Sequence, residues 1–78
     1  MYKILIVEDD ETIAGGLKNH LGKWNYQAEC MTDFKDVMGK FVDFEPQLVL
    51  LDIVLPFFNG FHWCQEIRKI SKVPIIFL

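Results

Sequence analysis

The stretch LVLLDIVLP, residues 48–56, decides how this chain is read. Four apolar residues run without a break into one aspartate, Asp52. Apolar residues resume at once, and Pro56 closes the run. An apolar run with no polar alternation fits a short strand covered on both faces, as in parallel sheets flanked by helices. A carboxylate directly after such a strand stands at the rim where open α/β sheets hold their ligands. Asp52 is therefore a candidate functional residue before anything else is known.

Outward from this stretch, the same kind of run recurs. KILIV (3–7) reads as a second doubly buried strand, and it too ends in acids, Glu8-Asp9-Asp10. Ile13, Leu17 and Leu21 then repeat every four residues beside Ala14, which predicts a helix with one apolar stripe ending near Gly22. YQAEC (26–30) alternates apolar and polar residues, as a half-exposed edge strand does. Thr32 or Asp33 is the expected cap of a second helix, whose inward set is Phe34, Val37, Met38, Phe41 and Val42. After LVLLD, a loop through Pro56, Asn59 and Gly60 leads to a third helix with Trp63, Ile67 and Ile70 inward. Pro74 then opens a last apolar strand, IIFL (75–78).

Strands alternating with helices imply a parallel sheet with right-handed crossovers. The edge character of the second strand gives the order 2-1-3-4, which is flavodoxin-like. The fourth strand fits this scheme badly as an edge, because PIIFL carries no charge and no polar face. It reads as an interior strand without its neighbour. The expectation is a truncated domain over residues 1–78, or a strand supplied by another chain, with a homodimer through this edge as one way to cover it.

Composition narrows the class. Half the residues are hydrophobic (51%) and 24% are charged, which is globular rather than disordered. A net charge of −3 argues against direct nucleic-acid binding, and no stretch approaches the length of a membrane span. The opening MYKILIVEDD is no signal peptide. Cys30 and Cys64 lack metal-site spacing and read as small buried thiols in a reducing compartment. His20 and His62 read as surface or boundary residues, and Trp24 and Trp63 as packing. Phe57 and Phe58 read either as packing against the third helix or as an exposed pair beside the site.

The predicted topology brings Glu8, Asp9 and Asp52 to one crevice between strands 1 and 3, with Asp10 expected to begin the first helix. Like charges packed together repel, and a divalent cation removes the conflict. Oxygen-only donors with open positions suit Mg²⁺ and a phosphate group.

With ILIVEDD (4–10), LVLLD (48–52), LP (55–56), Gly60 and VPIIFL (73–78) in this order and spacing, the chain resembles the receiver domain of bacterial two-component response regulators. Its VED opening looks like the branch that carries a winged-helix DNA-binding domain. The resemblance implies that Asp52 is the phosphoacceptor for a sensor histidine kinase. It implies that Glu8 and Asp9 hold Mg²⁺ together with Asp52 and the backbone carbonyl of Val54, and that Pro56 and Gly60 shape the loop after strand 3. It further implies a cytoplasmic signalling protein that is not a general enzyme. Any contact with nucleic acid would come only through an output domain outside these residues.

The family's Ser or Thr ending strand 4, its lysine ending strand 5, strand 5 itself and its last two helices have no counterpart in residues 1–78. Lys72 precedes strand 4, at the opposite end of the sheet, and does not replace that lysine. The competing reading is a receiver-like interaction module that takes no phosphoryl group. An aspartate-nucleophile phosphatase is disfavoured, because Val54 occupies the position where such enzymes place a second aspartate. A flavin-binding domain is disfavoured, because acids stand where a phosphate-cradling loop is needed.

Overall fold

The computed structural model describes all residues, Met1–Leu78. Its elements are β1 (Lys3–Val7), α1 (Glu11–Lys23), β2 (Gln27–Cys30), α2 (Val37–Phe44), β3 (Leu48–Leu51), α3 (Gly60–Arg68) and β4 (Ile75–Phe77). The four strands form one parallel sheet in the order β2-β1-β3-β4. This is the predicted flavodoxin-like arrangement, with β1 and β3 central.

Strand geometry explains the unbroken apolar runs. Successive side chains point to opposite faces, so a strand covered on both sides needs apolar residues at every position. Leu5, Val7, Val49 and Leu51 face α2 and α3, where they meet Val37, Phe41, Phe44, Trp63 and Ile67. Ile4, Ile6 and Leu50 face the other way, onto Ala14 of α1 and Ala28 of β2, with Leu17 and Leu21 at the margin. The first cluster has ten buried residues and the second five, because two helices cover one face and a single helix covers the other.

Several inward positions read from the sequence lie elsewhere. Ile13 is exposed, so Ala14 rather than Ile13 anchors α1. The second helix begins later than predicted. Asp36 is its cap, accepting from the Gly39 N–H at 3.0 Å, while Asp33 instead closes a turn by accepting from the Lys35 N–H. Starting the helix at Val37 rotates its inner face, so Val42 is exposed and Phe44 is buried. Phe34 precedes the helix and packs from the turn. Ile70 lies beyond the end of α3 and is exposed, as is Trp24 at the end of α1. Cys30 and Cys64 are half-buried free thiols. Ile76, Phe77 and Leu78 are exposed along the unpaired side of β4. No helix is long and apolar enough to cross a membrane.

Candidate functional site

The sheet register carries the acids to a common rim. Val7 of β1 pairs with Leu51 of β3, so the residues that follow them, Glu8 and Asp52, leave the sheet side by side. The Asp52 N–H donates to the Val7 carbonyl at 2.9 Å and holds this register to the last residue. A carboxylate oxygen from each of Glu8, Asp9 and Asp52 lies within 4.8 Å of the others. Glu8 is 7% exposed, Asp52 is half-buried and Asp9 is open to solvent. Asp10 stands apart from this group as the cap of α1, accepting from the Thr12 and Ile13 amides at 2.9 and 3.2 Å. Its own N–H donates to Glu8 Oε1 at 3.3 Å.

The electrostatics of the cluster show in Glu8. Burial, a hydrogen bond shared with Asp52 and the charges of Asp52 and Asp9 push its carboxyl from 4.5 up to about 7, against the pull of the Asp10 amide. A buried carboxyl packed against two further carboxylates is a place where a bound divalent cation would relieve both the burial cost and the repulsion. Three hard oxygen donors with one buried and two accessible fit Mg²⁺, which binds a few carboxylates and keeps further positions for water and phosphate.

The loop after β3 is shaped for closeness. A Cβ on Gly60 would overlap the carbonyl oxygen of Asp52 and lie 3.0 Å from the Ile53 Cα, so only glycine allows α3 to start against the strand end. The Gly60 N–H donates to the Ile53 carbonyl at 2.8 Å, and Asn59 caps α3 by accepting from the His62 N–H at 2.9 Å. Val54 sits in this loop with its side chain exposed, and Leu55 packs on the core beneath it. Phe58 stacks on His62 with ring centroids 4.4 Å apart and meets Trp63 edge-on at 5.5 Å. Phe57 is largely exposed, and the Lys35 ammonium lies 4.8 Å from its ring centroid. The sequence reading missed Lys35, which belongs to no motif. It also missed a cavity of about 290 Å³ beside the acids, lined by Glu8, Asp9, Cys30, Met31, Thr32 and Phe34 among others.

This fold and rim of acids define a class. The description "Response regulator receiver domain" matches residues 4–78, and the chain belongs to that family. Across its full length it is 53% identical to the uncharacterized transcriptional regulatory protein YvcP of Bacillus subtilis, of which it covers 33%. It superimposes on the N-terminal domain of the nisin resistance regulator NsrR with a TM-score of 0.91 at 48% identity, covering 99% of this chain and 65% of that one. It is also similar to TrrA, a response regulator of Thermotoga maritima solved with Mg²⁺ and BeF (TM-score 0.85, 31% identity, 99% of this chain and 66% of that one). TrrA has also been solved with the histidine kinase ThkA (TM-score 0.87, 33% identity, 99% and 67%). The chain spans about a third of the length of the curated relatives it matches.

Proposed function

We propose that Asp52 accepts a phosphoryl group from the phosphohistidine of a sensor histidine kinase, in a Mg²⁺-dependent step of two-component signalling. The single observation that carries this reading is the convergence of Glu8, Asp9 and Asp52 within 4.8 Å at the carboxyl ends of β1 and β3. An Asp52 carboxylate oxygen forms the new O–P bond as the P–N bond of the donor breaks. The released imidazole nitrogen takes up a proton, and an aspartyl phosphate results. Phosphoryl transfer asks mainly for positioning and charge neutralisation. The rigid β3 strand and the Val7 carbonyl position Asp52.

Glu8, Asp9, Asp52 and the Val54 carbonyl are the proposed ligands of Mg²⁺, which when bound offsets the charge of the acids and of the incoming phosphoryl oxygens. TrrA with Mg²⁺ and BeF, and TrrA with its kinase, support both the metal and the kind of partner. Asp52 is the acceptor in this scheme, and the domain is not a general catalyst. In the whole protein the modification would act on an output domain. The name of YvcP, a transcriptional regulatory protein, supports an output that regulates transcription, and a DNA-binding domain is the form of it proposed here. A cytoplasmic location goes with this reading.

The test is an intact mass spectrum after incubation with acetyl phosphate. The expected result is one phosphoryl adduct that requires Mg²⁺ and disappears in Asp52→Asn. An adduct that persists in Asp52→Asn, or that forms equally in EDTA, overturns the assignment. No adduct under any condition favours the interaction module instead.

A further inference from the structure

Two segments from different strands meet beside the acidic rim. One is the turn Asp33–Asp36 that follows β2. It is closed by the Asp36 N–H donating to the Asp33 carbonyl at 3.2 Å and by the Lys35 N–H donating to the Asp33 carboxylate at 3.0 Å. Thr32, just before the turn, and Phe34, within it, line the same cavity as Glu8 and Asp9. The other segment is the loop from Asp52 to Asn59, held by the Phe58 N–H to the Pro56 carbonyl at 2.9 Å and the Gly60 N–H to the Ile53 carbonyl at 2.8 Å.

Phe57 is unusual twice over. Its φ is 68°, in the left-handed region that a bulky side chain enters only at a cost. Its ring is 67% exposed, so burial does not repay that cost. Glycine would relieve the backbone, and a polar residue would suit the exposure. What the ring does have is the Lys35 ammonium 4.8 Å from its centroid, within cation–π range. The turn that presents Lys35 is itself pinned by two hydrogen bonds to Asp33, so the contact joins two ordered backbones.

We propose that Lys35 and Phe57 form a clasp between the β2–α2 turn and the β3–α3 loop, and that the clasp positions the loop that carries the Val54 carbonyl. What the loop does rests on the function proposed above; the clasp itself does not. Both are positioning residues. A loop held in place before the cation arrives loses less freedom when the Val54 carbonyl engages. The clasp therefore acts on the metal requirement of phosphoryl uptake and not on its limiting rate.

The experiment compares wild type, Lys35→Ala, Phe57→Leu, the double variant and Lys35→Arg. The first readout is amide hydrogen exchange of Phe58 and Gly60 in the metal-free chain, normalised to the Leu5 amide of β1 to remove changes in global stability. Each single variant is expected to speed exchange about two- to fivefold, the size an exposed cation–π contact supports. The double variant should add nothing beyond the larger single effect, and Lys35→Arg should exchange like wild type. Unchanged exchange, or additive effects, overturns the clasp.

The second readout is the Mg²⁺ concentration for half-maximal phosphoryl uptake from acetyl phosphate. It should rise by the same factor, with the rate at saturating Mg²⁺ unchanged. Faster exchange with no change in that concentration overturns the positioning role. Absence of uptake in wild type sinks the proposed function, while the exchange measurements still decide the clasp.

Discussion

Glu8 shows what one residue reveals about this site. Its carboxyl titrates near 4.5 when unfolded and at about 7 in the folded chain, burial being the largest cause. Between these values the folded state holds a proton that the unfolded state has released. The contribution of Glu8 is therefore complete below pH 4.5 and is lost as the pH rises through 7. The metal-free chain is expected to show a falling urea midpoint from pH 5 to pH 8, and Glu8→Gln should flatten much of that slope. Mg²⁺ should restore stability at pH 8 in wild type. A slope unchanged in Glu8→Gln would assign it to other groups. The acids themselves were legible in the sequence because Glu8-Asp9 and Asp52 stand directly after apolar strands. Their ranking was not. Glu8 turns inward beneath Asp52 while Asp9 faces solvent, and the local pattern EDD does not distinguish them.

At the scale of elements, two glycines on helices separate propensity from context. Gly16 of α1 is exposed, and a Cβ there would meet nothing within 4 Å. Gly16→Ala should raise stability by up to about 1 kcal/mol, the ordinary helix preference. Gly39 of α2 has the same propensity, but a Cβ there would overlap the Asp36 carboxylate that caps the helix. Loss of such a cap costs about 1 kcal/mol, so Gly39→Ala should show little or no gain. Thermal melts of the two variants check this; equal stabilisation would mean that the Asp36 cap contributes nothing. The same cap explains why the second helix was misread. Thr32, Asp33 and Asp36 are all competent caps by residue type. Asp33 is drawn into the turn that carries Lys35, so helix geometry begins at Val37, Val42 swings outward and Phe44 inward.

For residues 1–78 taken as a unit, the unequal cover of the two sheet faces and the apolar β4 edge set the behaviour. Ile76 and Leu78 are about half exposed, and Phe77 turns its ring to the exposed Phe61, 5.3 Å away. An apolar strand edge without charge or proline is a template for further pairing. The 78-residue chain is expected to self-associate at micromolar concentrations in sedimentation velocity. Ile76→Lys should shift it toward monomer with its circular dichroism intact. A wild-type monomer across that range would refute association through β4.

Strand number, helix number, parallel order and the meeting of Glu8, Asp9 and Asp52 followed from the sequence alone. Doubly buried strands need unbroken apolar runs, and an acid ending such a run has one place to go, the rim of the sheet. Tertiary structure alone decided which cap α2 uses, which acid is buried, and that the exposed Phe57 ring meets Lys35. Each of these outcomes is a competition among residues of similar local preference. Such competitions are settled by contacts between segments far apart in the chain, on which composition, periodicity and spacing are silent.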